Sequence, residues 1–248
     1  IGVMEGLISR IFGGAGVFPA PPFARMTYAE AVGRFGLDNP DTRFAMELVD
    51  LTSPLSSSGF KVFSDAVAKK GVIKAICVKG GATFSRKDLD DLTAVAASYG
   101  AKGLAWIKIT AEGWQSPIAK FLADAEKEAI VAALSAGTGD LILFAADRPQ
   151  VANTVLGRLR LNIASRLGLI PAGVNNFVWI TEFPMFEYDD EQRRFVAVHH
   201  PFTAPMDEDI DKLDTGTASV RAKAYDLVLN GVEIGGGSIR IHRSDIQS

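Results

Sequence analysis

The sequence predicts an α+β protein. Three observations carry that reading. Between residues 71 and 168, strand-like and helix-like stretches alternate. After residue 176 the helical period gives way to apolar runs joined by turn residues. Of the 248 residues, 48% are hydrophobic, enough to build a buried core.

The elements are taken in chain order. Residues 1–12 read as an amphipathic helix, and "GGAGVFPAPPF" (13–23) as a Gly/Pro-rich loop. "TYAEAVGRFG" (27–36) predicts a short helix. Thr27 is its N-cap, Glu30 stands at capping-box spacing, and Gly36 stops it. "LDNPDTRF" (37–44) is turn-like. "GVIKAICVK" (71–79), "GLAWIKI" (103–109) and "GDLILFAAD" (139–147) predict strands by β-branched content. Between them lie three predicted helices, at 85–100 (capped by Ser85, with Asp88 in the first turn), at 116–136 and at 148–168. "FVWITEFPMFEYDDEQRRFVAVHHPFT" (177–203) predicts two strands around a charged hairpin loop, "DDEQRR". "MDEDIDKLDTGT" (206–217) reads as an acidic loop. "SVRAKAYDLVLNGVEIGGGSIRIH" (219–242) predicts antiparallel strands around Asn230-Gly231, a strong hairpin signal.

Composition excludes several classes. A net charge of −3 leaves no global basic field for nucleic acid, though a local patch remains open. The lone cysteine, Cys77, sits in an apolar run and reads as a buried, inert thiol. It rules out an intrachain disulfide and any cysteine-based zinc site, and it fits a reducing cytoplasm or organelle matrix. No apolar run approaches the roughly 20 residues that cross a membrane, and no signal peptide is evident. The chain opens on Ile1, inside a helical pattern. It is therefore expected to be an internal piece of a longer protein.

Five stretches have chemistry to offer. His199 and His200 end an alternating run, and neighbours on a strand face opposite ways. Spacing favours a structural or surface role, then a ligand contact, with a shared metal last. Gly235, Gly236 and Gly237 weaken a strand, which makes sense at a bulge or where something approaches closely. A regular strand would turn Glu233 and Arg240 to opposite faces, and a bulge would change that. Asp226 and Glu233 offer oxygen ligands to a hard cation such as Mg²⁺, or form a surface pair on the hairpin. "GGATFSRKD" (80–88) is an anion site or, more simply, a turn and cap. Glu182, in "TEFP", stands at a strand end before a proline and reads as a turn, with a cleft position as the alternative.

The combination of "FVWITEFPMFEY", "HHPFTAP" and "AYDLVLNGVEIGGGSIRIH" resembles the catalytic domain of bacterial-type aspartyl-tRNA synthetases, which are class II enzymes. "KGGATFSRKDLD", "YGAKGLAWIKI", "SPIAKFL" and "GDLILFAAD" resemble the GAD domain inserted in those enzymes. "RMTYAEAVGRFGLDNPDTRF" resembles the segment just before that insert. The resemblance implies part of a class II synthetase-type antiparallel sheet with an inserted α/β GAD domain. It divides the chain at 1–44, 45–171 (the insert) and 172–248.

It also implies a function: activation of L-aspartate with ATP and Mg²⁺ to aspartyl-adenylate, then transfer to tRNA-Asp, with tRNA-Asn left open. By motif, His199 would contact the bound aspartate, with His200 beside it. Arg240 would pair with the aspartate side chain, a charged pairing that asparagine cannot offer. Glu233 would bind ATP through Mg²⁺, with Asp226 as a second metal carboxylate. Gly235, Gly236 and Gly237 would let the substrates lie close. The family's anticodon-binding OB-fold, its ATP-gripping arginine segment and its C-terminal Gly-Leu-Asp-Arg-type segment are not in these 248 residues. The chain alone is therefore expected to be inactive, and the full enzyme a cytoplasmic homodimer. A second reading is a non-catalytic GAD-containing paralogue that binds tRNA or protein. A metal hydrolase is a poor third, with three histidines and no HExxH spacing.

Overall fold

A computed structural model describes residues 1–189 and 191–243. In chain order it contains α1 (Gly2–Gly14), β1 (Ala24–Thr27), α2 (Tyr28–Phe35), β2 (Val49–Asp50), α3 (Lys61–Ala68), β3 (Val72–Val78) and α4 (Arg86–Ser98). Next come β4 (Ala105–Thr110), β5 (Gly113–Gln115), α5 (Asp124–Leu134), β6 (Leu141–Asp147) and α6 (Pro149–Arg166). The chain closes with β7 (Phe177–Pro184), β8 (Phe186–Asp189), β9 (Arg194–Ala197), β10 (Arg221–Leu229) and β11 (Val232–Ser238). It folds into two compact units: 1–31 with 38–43 and 173–248, and 32–37 with 44–172.

Local chemistry explains most element boundaries. Thr27 Oγ1 accepts the Glu30 N–H at 3.1 Å, and the Glu30 carboxylate accepts the Thr27 N–H at 3.0 Å. That reciprocal pair starts α2, and Gly36 ends it at φ +80°. Ser85 and Asp88 form the same box at the start of α4. Pro149 opens α6, where a missing N–H costs nothing. The predicted helix at 116–136 is shorter than expected. Ser116 turns inward instead, donating to the Trp106 carbonyl at 2.6 Å and accepting the Ile118 N–H at 3.0 Å. Leu122 then runs extended, buried in the core, and α5 begins at Asp124 with Glu126 accepting the Ala123 N–H.

In the second unit the sheet order is β2-β3-β6-β4-β5, and every neighbouring pair is antiparallel. β6 lies between β3 and β4, so the β3–α4–β4 crossover spans it, a split βαβ arrangement. Both faces of this sheet are covered. Ile76, Val78, Leu141 and Leu143 pack on α4 and α6, while Ile73, Ala75, Ile142 and Phe144 pack on α3 and α5. That is why β3 and β6 read as nearly continuous apolar runs, with Lys74 inside β3 and Asp147 at the end of β6. Cys77 is buried there, and burial beside Asp140 pushes its thiol up to about 11, in keeping with an inert group. Arg160 is also buried. It lies over the Phe44 ring and donates to the carbonyls of Phe44, Ala45 and Met46, which holds the chain where it enters this unit.

The first unit has a four-stranded sheet in the order β1-β7-β10-β11. β7, β10 and β11 run antiparallel, but β1 joins β7 in parallel, a pairing that the sequence pattern does not predict. Phe23, Phe177, Trp179 and Leu227 pack toward α1 on one face. Glu5 is buried among them, accepting the Trp179 Nε1–H at 3.0 Å and the Phe23 N–H at 3.1 Å. Val178, Ile180, Ala222, Ala224 and Val228 pack against Ala31 of α2 on the other face. The predicted hairpin at 177–203 exists as β8–β9, with Asp189 opposite Arg194; Asp190 of its loop lies outside the described residues. Among the described residues, no helix is long and apolar enough to cross a membrane.

Candidate functional site

The site residues named from sequence lie in the first unit, on the β10–β11 hairpin and on the segment after β9. Asn230 and Gly231 turn the hairpin at φ +54° and +85°, as an Asn-Gly type I′ turn requires. Asn230 is pinned from behind, its Oδ1 accepting the Asn176 N–H at 2.9 Å. Beyond the turn the register slips: Val228 faces Glu233, but Leu227 faces Gly235. Ile234 is the extra residue of a β-bulge.

The turn and the bulge together set the surroundings of the carboxylates. Glu233 pairs with Val228 beside the turn, which puts it on the face that Val228 shares with Asp226, and the bulge then brings Gly236 rather than Gly235 to that face. Gly236 lies opposite Asp226, and a Cβ built on it would fall 2.2 Å from Asp226 Oδ1 and 3.2 Å from Glu233 Oε1. The glycine is the cradle over which two carboxylates converge. At Gly237 a Cβ would meet the Tyr225 Oη at 3.2 Å, whereas Gly235 faces open space. In this structure, then, side chains of the adjacent strand are what crowd two of the three glycines. Burial, Glu233 and Asp38 together push the Asp226 carboxyl up to about 6. An all-oxygen pair of this kind fits a hard divalent cation that takes its remaining ligands from water or phosphate. Among the described residues, no group of three or more His, Cys, Asp or Glu is arranged to hold a metal alone.

The histidines do not sit on a strand as expected. β9 ends at Ala197, and the chain bends through 198–199. Strand alternation therefore does not govern them, and both line one cavity of about 230 Å³. Its other walls are mostly apolar, with Met185, Phe186, Phe202 and Leu213 among them. His199 stacks edge-on against Phe183 at 5.2 Å, and its Nε2 is buried without a hydrogen-bond partner. Burial lowers its pKa, so the ring is neutral near pH 7 and offers one nitrogen to a ligand. His200 is exposed, with Nδ1 accepting the Phe202 N–H at 3.1 Å.

Arg240 is exposed and does not line the cavity. A backbone bridge pairs it with Thr203, which does. The structure thus brings Asp226, Glu233 and Gly236 into one group and His199 with His200 into another. Arg240 joins the second group through the backbone. The glycines before α4 are a turn, as the simpler reading had it: the Gly80 N–H goes to Asp140 Oδ1 at 3.1 Å.

One charged cluster has almost no signature in the sequence. The acidic stretch read as a loop contains a 3₁₀ helix, Asp207–Lys212, and Asp209 within it is fully buried. Asp209 accepts from Arg221 Nε at 2.7 Å and from Lys212 Nζ at 2.6 Å, and these cations hold its carboxyl far below the usual range. Arg221 also reaches Glu182. Only the i,i+3 spacing of Asp209 and Lys212 hints at this.

Comparison with known proteins gives the context of these groups. The GAD domain family matches residues 63–156. An aspartate–tRNA(Asp/Asn) ligase of Geotalea uraniireducens (strain Rf4) is 57% identical over 249 residues, covering 100% of this chain and 42% of the relative. The ligase of that name from Heliobacterium modesticaldum is 54% identical over 99% of the chain and 41% of the relative, and that from Nitratidesulfovibrio vulgaris 51% over 98% and 39%. The chain thus spans about two fifths of the length of the curated relatives it matches. With that identity along its whole length and a GAD domain at its centre, the chain is homologous to the GAD-containing part of the bacterial aspartate–tRNA(Asp/Asn) ligases.

Proposed function

We propose that this chain carries the metal-binding and aspartate-contacting half of a ligase site that activates L-aspartate with ATP and delivers it to tRNA. The observation that carries this reading is the convergence of Asp226 and Glu233 over Gly236. Asp226, half-buried, and Glu233, exposed beside it, repel each other when both are ionised, and a cation between them removes that cost. Mg²⁺ held there would neutralise charge on the ATP phosphates. His199 contributes a neutral ring nitrogen, suited to hydrogen-bonding the bound amino acid. Arg240 contributes a guanidinium for the aspartate side chain, and a charge-assisted pair is worth about 1.5–3 kcal/mol. Asparagine would forfeit that pairing and leave the cation unmatched.

The relatives' names supply the substrate proposal: aspartate joined to tRNA-Asp and tRNA-Asn. Residues 45–171 act as an inserted module, and the full enzyme works as a cytoplasmic homodimer. A non-catalytic binding paralogue is the weaker reading, since it has no use for two converging carboxylates or for a polar nitrogen in an apolar cavity.

Mn²⁺ titration of the 248-residue chain, followed by water-proton relaxation, tests the metal site. Saturable binding is expected, and it should be lost in the Asp226→Asn, Glu233→Gln double variant. Equal binding by chain and variant would overturn the reading. The chain alone should show no aspartate-dependent ATP–pyrophosphate exchange. Measurable exchange would show that the 248 residues suffice.

A further inference from the structure

Arg221 is the hub of the segments that wall the histidine cavity. Its guanidinium and its backbone N–H both bind the buried Asp209 carboxylate, at 2.7 Å and 3.0 Å, and its carbonyl accepts the Met206 N–H at 2.8 Å. That anchors the 3₁₀ turn that leads to Leu213, one wall of the cavity. The other end of the fork reaches Glu182 in β7. Glu182 stands at φ +57°, a left-handed conformation costly for a residue with a Cβ, at the place where β7 and β10 lose register. The next residue is Phe183, whose ring packs edge-on against His199. Two residues further, Met185 lines the cavity, takes the Val198 N–H on its carbonyl and donates its own N–H to Val220. Two of the cavity's walls, Leu213 and Met185, and the Phe183 ring against His199 therefore lead back to one arginine.

We infer that Arg221, through Asp209 and Glu182, is a positioning residue that holds Phe183 and Met185 where they orient the His199 ring in its cavity. The physical reason lies in the two acceptors. A planar fork of five donors can satisfy two carboxylates on different segments at once, a spread that a lysine's single ammonium matches less well. The ion pair also offsets the strain at Glu182, so the bend that aims Phe183 at His199 persists. The consequence for aspartate rests on the function proposed above. The positioning itself does not.

The chain's three histidines make the test tractable. Imidazole carbon–proton spectra of the 248-residue chain should show His199 displaced by the Phe183 ring and linked to it by a nuclear Overhauser effect. His242, exposed, serves as reference. In Arg221→Met the His199 signal should move toward that of His242 and the contact with Phe183 should vanish. Arg221→Lys should recover only part of the displacement. Should Arg221→Met fail to fold, Arg221→Lys and Glu182→Gln carry the same comparison. Glu182→Gly separates contact from strain: it relieves φ but should still loosen His199. If these variants lower the melting temperature while the His199 signal and its Phe183 contact stay put, the cluster is only a stabilising ion pair and the inference fails. A displaced His199 alongside unaltered aspartate use in a full-length ligase would instead uphold the positioning and count against the aspartate role.

Discussion

At the scale of single residues, charge and burial make Asp226 the most informative side chain. Its carboxyl is pushed up to about 6 because it is half-buried beside Glu233 and Asp38. The sign comes from linkage. Between the ordinary carboxylate value and about 6, the folded chain keeps a proton that the unfolded chain has lost. Stability therefore falls as pH rises through that window and stays lower above it. Allowing for solvent screening, the effect is about 1–2 kcal/mol. Asp226→Asn should flatten that dependence and melt at a higher temperature than the parent at pH 7, as thermal unfolding at pH 5 and 7 would show. Asp209 is the opposite case. Its pKa is depressed by Arg221 and Lys212, so its contribution is present at neutral pH and lost as pH falls through the acid range. Asp209→Asn leaves two cations short of a partner and should cost about 3 kcal/mol in denaturant unfolding. Sequence points to Asp226 and Glu233 as a candidate pair, and the Asn230-Gly231 turn puts them on one face because Val228 pairs with Glu233. What the sequence leaves undecided is the one-residue bulge at Ile234, which swaps the faces of the glycines that follow and has no local signal.

At the scale of elements, caps and turns are the most legible features. Thr27 with Glu30, Ser85 with Asp88, Pro149 and Asn230-Gly231 all act over three or four residues, so the sequence around them contains the whole interaction. Ser85→Ala removes one such cap and should lower stability by about 1 kcal/mol, read from the denaturant midpoint with an unchanged slope. Elements made by distant partners are not legible. β1 is four residues of mixed character that become a strand only because β7 offers a parallel edge. α5 starts eight residues later than its pattern suggests because Ser116 and Leu122 are drawn inward. The two histidines come after an alternating run, but β9 ends before them, and that ending depends on where β8 runs out of partners.

For the whole molecule, the closed core of the second unit has a direct consequence. Both faces of its sheet are covered by its own helices, so its apolar burial needs nothing from residues 1–31 or 173–248. Residues 45–171 expressed alone should fold cooperatively and resist limited proteolysis. Rapid digestion, or a missing unfolding transition, would count against an autonomous module. Alternation of strand and helix makes this unit recognisable as mixed α and β from sequence. The antiparallel order, with β6 between β3 and β4, is not in the pattern, because alternation gives the order of elements along the chain and not their neighbours within the sheet.

Sequence by itself determined the caps, the hairpin turn, the inert cysteine, the homology to part of a ligase family and which residue types could act. Those properties rest on neighbours along the chain or on residue identity. Tertiary structure alone decided that Gly236 is the residue facing Asp226 and Glu233, that both histidines line one cavity, and that Asp209 is buried under Arg221. Each of these depends on register, bulge and burial bringing separate segments together; Arg221, for one, meets acceptors 12 and 39 residues away in the chain. Free energies of that kind exist only once the sheet has formed.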